Sequence, residues 1–249
     1  MKAAIRALLP RSIRPRRILA GPLRGRWLVT SWHDYPAGLT GRTERALLGW
    51  FTRHARTGQT WIDVGAYCGY TAFALAQLVG PSGRVFAFEP VPATAGLLDR
   101  GRALNGFDHV TSLPFGLGTG ATFHMRQLFL TCGMGSSTPC DGTPQDSVPV
   151  SIARFDWLWP LINGGQPAIH GIKMDVQGME VDALEGMRET LAERCPQLVV
   201  ELHSGVNRDR LVSIVRDCGY RGMPIAIEPT RDEVEPHFLD DRSYAFAPA

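Results

Sequence analysis

Thr60-Trp61-Ile62-Asp63-Val64-Gly65-Ala66-Tyr67-Cys68-Gly69-Tyr70 joins a short apolar run to an acid and a turn bounded by glycines. A run this short, ending at a glycine, reads as a buried strand rather than a helix. Glycine lets the backbone turn sharply there and come close to a ligand. Residues 71–79 have helical length and composition, and Gly83-Arg84-Val85-Phe86-Ala87-Phe88 is a second strand of the same type, again ending on an acid, Glu89, before Pro90. A helix through 97–105 and a strand near 110–113 extend the series. Alternation of this kind implies a parallel sheet with right-handed crossovers.

Working outward, 25–30 reads as a short strand. Residues 43–54 read as an amphipathic helix whose apolar positions are Leu47, Leu48, Trp50 and Phe51. On the other side, 116–150 is crowded with glycine, serine and proline, including Gly116, Gly118, Gly120, Pro144 and Pro149. It is expected to be a long loop or hairpin insertion, with part of 118–147 acting as a lid over the substrate. Regular alternation resumes with a strand at 169–175, a helix at 180–195, a strand at 197–203 and a helix at 208–218. Strands near 223–227 and 243–246 are expected to close the sheet as an antiparallel pair. The fold class is therefore α/β, a Rossmann-like and mostly parallel sheet with an antiparallel C-terminal pair, formed by residues 43–249 behind a basic extension at 1–42.

The chain has 249 residues, 44% of them hydrophobic, enough for one sizeable core and little besides. Its formal net charge of +2 argues neither for nucleic acid nor for acidic substrates. Charge is uneven, however. Residues 1–33 carry Lys2, Arg6, Arg11, Arg14, Arg16, Arg17, Arg24 and Arg26 and no acid. Such an arm is either a solvated start packed loosely on the domain or a peripheral contact for an anionic membrane, a phosphorylated substrate or a partner. The apolar stretch at 3–9 contains Arg6 and is too short for a secretion signal, and no segment reaches about 18 continuous apolar residues. A soluble, cytoplasmic protein is expected. Cys68, Cys132, Cys140, Cys195 and Cys218 include no Cys-x-x-Cys pair, so reduced thiols are expected, with Cys132 and Cys140 the only pair whose spacing would let them meet in a loop.

Two acids at adjacent strand ends suit a nucleoside cofactor. Glu89 follows the first turn by about twenty residues, where a carboxylate can accept hydrogen bonds from both ribose hydroxyls. Gly65 and Gly69 lack the spacing that binds a pyrophosphate, and no arginine beside Glu89 awaits a 2′-phosphate. S-adenosylmethionine (SAM) fits these features better than a nicotinamide dinucleotide. The third acid, Asp175, ends a central strand at the edge where open α/β sheets bind ligands.

Ile62 through Tyr70, Val85 through Pro90, Asn105, Gly135-Ser136-Ser137, residues 148–156, Ile172-Lys173-Met174-Asp175-Val176-Gln177-Gly178-Met179-Glu180 and Val200-Glu201-Leu202-His203 together resemble the FkbM-type SAM-dependent methyltransferases. The ordered series, spread over about 44–204, is far more specific than any one member. The resemblance implies that Asp63, Gly65 and Gly69 line the methionine side of SAM, that Glu89 holds the ribose, and that 115–117 lies near adenine. With Ala66, Tyr67, Tyr70, Thr71, Pro90, Gly116 and Asp175 they make up the expected cofactor set. It also implies O-methylation of a sugar, glycolipid or secondary metabolite, generally without a metal. Two departures stand out: Tyr67-Cys68 where Asn or His is frequent nearby, and Gln177 where the family usually has Glu.

Transfer to a hydroxyl requires that its proton leave, and a histidine near its ordinary pKa can accept it. His203 is that candidate, with Glu201 two residues earlier on the same strand face to orient the ring or raise its basicity, or else only a strand-end histidine in water. Asp175 is an alternative base, and proximity alone is another. Lys173 shares the face of Asp175 and is placed to pair with it. Glu180 reads either as a site carboxylate or as a helix-start acid favoured by exposed N–H groups. His33, His54, His109, His124, His170 and His237 lack ligand spacing, so no metal is expected. Trp32, Tyr35, Trp157 and Trp159 are candidate walls of an acceptor pocket. A non-catalytic SAM-binding or scaffold protein and a nicotinamide-dependent oxidoreductase are the competing readings. RNA methylation lacks the basic aromatic face it would need.

Overall fold

The computed structural model describes residues 8–131, 134–137, 146–163, 168–229 and 238–249. Two antiparallel strands, β1 (Arg14–Arg17) and β2 (Trp27–Thr30), and two helices, α1 (Pro36–Thr40) and α2 (Arg45–His54), come first. Then β3 (Thr60–Val64), α3 (Tyr70–Val79), β4 (Arg84–Phe88), α4 (Pro92–Asn105) and β5 (Val110–Leu113) alternate. An inserted sheet follows, built from β6 (Gly116–Leu117), β7 (Phe123–Thr131), β8 (Met134–Ser136) and β9 (Ser147–Ala153). The chain then returns through α5 (Phe155–Ile162), β10 (Gly171–Met174), α6 (Glu180–Glu185), α7 (Arg188–Arg194), β11 (Gln197–Leu202), α8 (Arg208–Asp217), β12 (Ile225–Ala226) and β13 (Arg242–Phe246).

The main sheet has the order β12-β13-β11-β10-β3-β4-β5. Its five central and distal strands pair in parallel, while β13 runs antiparallel to both β11 and β12. This is the Rossmann-like sheet with an antiparallel closing pair. Every residue of β3 and β10 is buried, as strands covered on both faces must be. Winding proceeds outward in opposite directions from β3 and β10, so a crevice forms beyond their carboxyl ends, where Asp63 and Asp175 emerge. Helix α3 packs with eight of its ten residues buried, Phe73 among them, and its start is the glycine turn. Gly65 sits at φ 78°, and a Cβ there would lie 1.7 Å from the Asp175 carbonyl oxygen, so the two strand ends can approach only over a glycine.

A loosely packed reading of the basic arm does not hold from residue 14 onward. Ile18, Leu23, Leu28 and Leu39 are buried in the same cluster as Trp61 and Phe73. The Asn105 side chain at the end of α4 clamps β2, accepting from the Trp27 N–H and donating to its carbonyl, each at 2.8 Å. The arm's described arginines are exposed or half-buried, with Arg17 stacked on the Trp27 ring at 4.0 Å.

Two element readings need correction. Of the loop or hairpin insertion expected at 116–150, the loop reading fails and the antiparallel one holds: the described part is a four-stranded sheet in which β7 pairs antiparallel with β8, and with β9 over seven positions despite Pro149. Leu128, Val150, Ile152 and Met179 form its own small core against the main domain. The single helix expected at 180–195 is two helices, α6 and α7, broken at Gly186, where a Cβ would come 2.1 Å from the Gly118 carbonyl oxygen. Asp156, from α5, supplies the missing cap by accepting from the Glu189 and Thr190 N–H groups. No helix among the described residues is long and apolar enough to cross a membrane.

Candidate active site

A solvent-open cleft of about 570 Å³ lies beyond the carboxyl ends of β3, β4 and β10. Of the expected cofactor residues, Gly65, Tyr67, Glu89, Pro90, Gly116 and Asp175 line it, as does the 115–117 segment. Asp63, Ala66, Tyr70 and Thr71 are buried behind it, and Gly69 opens α3 there. Val176, Met179, Leu128 and Met134 complete an apolar wall that no local signal in the sequence marks, since two of them come from the inserted sheet. The insertion is tied down beside the cleft, the Ser137 hydroxyl donating to the Gln177 carbonyl at 3.2 Å.

Register explains the position of Asp63. It is the Cα partner of Lys173 across β3 and β10, and Lys173 Nζ lies 3.2 Å from Asp63 Oδ1 and 3.6 Å from Asp175 Oδ2. The same ammonium donates to the Gly65 carbonyl at 3.1 Å, while the Thr71 hydroxyl donates to Asp63 Oδ2 at 2.7 Å. Burial lowers the lysine's proton affinity, but Asp63 and Asp175 outweigh it and hold the group charged. Asp63 therefore acts on the turn through Lys173 and Thr71 and does not line the cleft. Lys173 orients Asp175, as expected from the shared face.

Glu89 is almost fully buried and accepts from the Tyr67 N–H at 2.9 Å and the Val91 N–H at 3.0 Å. Burial pushes its carboxyl up to about 7 despite those two bonds. Each oxygen keeps a lone pair for a ligand hydroxyl.

At the cleft's end Asp175, Glu201 and His203 converge, with ligand atoms within 4.8 Å of one another, close enough to share a proton or to hold a cation. His203 is 7% exposed and is not a strand-end residue in water. Its Nδ1 is 2.6 Å from Glu180 Oε1, and its Nε2 faces Asp175 Oδ1 at 3.4 Å and Glu201 Oε1 at 3.7 Å. The ring is thus held by Glu180, a fully buried acid, rather than by Glu201, whose other oxygen accepts from the Ser243 hydroxyl at 3.1 Å. Glu180 is also a helix-start acid, accepting from the Gly178 N–H at 3.2 Å, so both readings of it apply. Gln177 fills the space between, its Nε2 lying 3.2 Å from Asp175 Oδ1 and 2.7 Å from His203 Nε2. Burial disfavours the charged imidazole, yet the Glu180 bond and the charges of Asp175 and Glu201 prevail and raise it to about 9. Burial, then Asp175 and Glu44, raise Glu201 to about 7.

Of the aromatic candidates, Tyr35 packs edge-on against Tyr67 and Tyr70 beside the turn. Trp32 packs against the core, and Trp157 packs against the core and edge-on against Phe123, which in turn meets Phe115. Trp159 is core, stacked on Phe155 at 5.4 Å, and does not wall a pocket. Cys132, Cys140 and His237 lie outside the described residues, as do Lys2 and Arg6. The remaining cysteines are free.

The Methyltransferase FkbM domain matches residues 63–222. No curated protein matches the chain. Similar solved structures include a methyltransferase FkbM from Methylobacillus flagellatus, at 18% identity and TM-score 0.48, over 86% of this chain and 54% of that one. The chain thus spans about half the length of that relative. An Aeropyrum pernix fibrillarin with natively bound S-adenosyl-L-methionine is 13% identical at TM-score 0.49, over 95% of this chain and 82% of that one. An Aquifex aeolicus SAM-dependent methyltransferase is 14% identical at TM-score 0.46, over 86% and 92%. With more than half of its length matched to that one domain, the chain belongs to the FkbM family of SAM-dependent methyltransferases.

Proposed function

We propose that this enzyme methylates a hydroxyl oxygen of a sugar-like acceptor, a glycolipid or a secondary metabolite, with SAM held in the cleft along 65–67, 89–90, 115–117 and Asp175. The observation that carries the reading is the convergence of Asp175, Glu201 and His203 at the end of that cleft. The donor set fits the cofactor: Glu89 for ribose hydroxyls, an apolar wall for adenine, and Asp175 with its anchored carboxylate near the methionine end. When bound, SAM supplies a methyl carbon made electrophilic by its sulfonium.

Held by the 65–67 turn, Glu89 and Asp175, SAM would supply its methyl carbon to the acceptor oxygen and retain on sulfur the electron pair of the broken carbon–sulfur bond. The hydroxyl proton passes to the His203–Glu201 pair, whose raised affinities place proton exchange near neutral to mildly alkaline pH. Glu180 keeps the ring's Nε2 turned toward the cleft end, and Lys173 keeps Asp175 in place. Positioning two reactants side by side supplies much of the acceleration in such transfers.

The test has two stages. Intrinsic tryptophan fluorescence should change with SAM and not with NADH, and mass spectrometry of cell extracts incubated with methyl-labelled SAM should show label on oxygen. Saturation by NADH instead would overturn the cofactor reading. SAM binding without transfer by any preparation would favour a non-catalytic binding protein, and label on nitrogen, carbon or RNA would refute the acceptor class.

A further inference from the structure

A second solvent-open cleft, of about 730 Å³, lies on the other side of the same cluster, between the start of α2 and the C-terminal strands. Glu201 lines it, whereas Asp175 lines the first cleft. The two spaces therefore meet across groups less than 5 Å apart, with the ligand atoms of Asp175, Glu201 and His203 within 4.8 Å. Their linings differ in kind. The first is mostly apolar, while the second carries Arg42, Glu44, Arg45, Glu228, Asp241 and Arg242 around Glu201. A lining so rich in charge binds a ligand through hydrogen bonds rather than apolar area.

The charges are arranged by depth. Glu44 and Glu201 are the inner pair, and burial raises both carboxyls. Arg42 and Arg45 are exposed, and their guanidinium groups make no hydrogen bond or ion pair with any described residue. Among the described residues the half-buried arginines 126, 154, 188 and 208 and the exposed Arg210 pair with carboxylates, while the exposed arginines 11, 24, 53, 84 and 100 do not. Arg42 and Arg45 are of the second kind, although Glu228 and Asp241 line the same cleft. Arg45 is moreover the first residue of α2, the helix end where a cation gains nothing from the backbone dipole. Backbone conformation marks the two clefts as well. Among the described residues, four of the five non-glycine positions with left-handed φ are Glu44 and Asp241 in the second cleft and Tyr67 and Gln177 in the first.

We propose that the second cleft seats the acceptor, a polyhydroxylated molecule carrying a carboxylate or phosphate that Arg42 and Arg45 bind while one of its hydroxyls reaches Glu201 and His203. This rests on the methyl-transfer reading above. Guanidinium forks match carboxylate and phosphate oxygens in pairs, which gives orientation as well as affinity. The inner carboxylates accept from ligand hydroxyls, and the Ser243 hydroxyl holds one Glu201 oxygen so that the other faces the cluster.

Ligand-observed NMR titration of the enzyme loaded with S-adenosylhomocysteine tests this with four probes: D-glucuronate, D-glucose 1-phosphate, D-glucose and D-glucosamine. At least one anionic probe should bind tenfold or more tightly than glucose and glucosamine, and which one does so separates carboxylate from phosphate. The double variant Arg42→Gln/Arg45→Gln should lose that preference by tenfold or more. Its affinity for S-adenosylhomocysteine should be unchanged, which also reports that it is folded. Preference for glucosamine, equal binding of all four, no binding of any, or anion affinity intact in the variant each overturns the proposal. Methyl transfer to an extract that the double variant performs unchanged at low acceptor concentration refutes the cleft assignment and leaves the enzyme reading standing. Arginine-dependent anion binding with no transfer from SAM does the reverse.

Discussion

Gln177→Glu restores the carboxylate usual in the family and should move the titration of His203 upward. The amide nitrogen is 2.7 Å from His203 Nε2, so in the arrangement observed the ring offers a lone pair to an N–H donor, with its own proton on Nδ1 facing Glu180. A protonated ring requires the amide to turn over and present oxygen. Gln177 thus serves both protonation states, whereas a glutamate serves only the charged one. A unit charge at about 3 Å and an effective dielectric near 20 is worth about 5 kcal/mol. Asp175, at a comparable distance, repels the new carboxylate so that it holds a proton while the ring is neutral and releases it as the ring becomes charged, and this coupling offsets most of that gain. A net rise of about one pKa unit, or about 1.4 kcal/mol, remains.

The opposite perturbation is Glu180→Gln, which replaces a charge-assisted bond by a neutral one and should lower the ring by about one unit or more. His203 is read directly by carbon–proton NMR of its imidazole against pH, assigned with His203→Gln, so no acceptor is needed. The midpoint near 9 should shift up in the first variant and down in the second, with the acidic limb of kcat/KM following in each case. Two variants that leave the midpoint where it was, or move it the same way, would show that Glu180 and Gln177 do not set the ring's charge.

Gly65→Ala should abolish SAM binding and lower the melting temperature sharply, because its Cβ would overlap the Asp175 carbonyl oxygen at 1.7 Å from a φ of 78°; differential scanning fluorimetry checks it. Glu89→Gln should weaken SAM about tenfold at pH 8 and remove the strengthening of binding expected as the carboxyl ionises through about 7, seen by calorimetry. Stability without ligand should fall as pH rises from 5 to 9. Burial raises Glu89 and Glu201 from 4.5 to about 7, so the folded state holds protons there that the unfolded chain has released. His203, raised from 6.5 to about 9, likewise stabilises fully below 6.5 and loses that contribution through 9. A melting temperature that climbs across this range would contradict all three shifts. SAM carries a sulfonium and S-adenosylhomocysteine does not. Calorimetry in buffers of different ionisation enthalpy should therefore show more proton release with SAM at pH 8, and equal release would place the sulfonium away from the cluster.

Much of the frame was legible because strands buried on both faces announce themselves. The runs at 60–64, 84–88 and 197–202 are apolar and each leads to an acid or a glycine turn, so their order and the crevice beyond them could be read from one chain. The inserted sheet was not, since its glycines and prolines mask an alternation that acquires meaning only when β7 meets β9. Neither was the break at Gly186, whose cause is the Gly118 carbonyl arriving from sixty-odd residues away. The basic arm misled for a related reason. Its charges are conspicuous and exposed, while the four residues that anchor it, Ile18, Leu23, Leu28 and Leu39, are ordinary aliphatics scattered among them.

The site shows where reading acids singly runs out. Asp63, Asp175, Glu180 and Glu201 each look like a ligand-facing carboxylate at the end of an element, yet among them they have one nearby lysine and one histidine. Lys173 is taken up by Asp63 and Asp175, so the remaining acids must find protons or remain charged at a cost that burial makes large. This is why His203 and Glu201 both hold protons more tightly than usual, and why Glu180 can be fully buried: the imidazolium beside it is its counterion. The pair that accepts the acceptor's proton is therefore set by the charge balance of six side chains on four elements. Spacing within any one strand carries only a fragment of that balance: Glu201 beside His203 is a charge that raises the ring's basicity, while the group that orients the ring, Glu180, comes from another element.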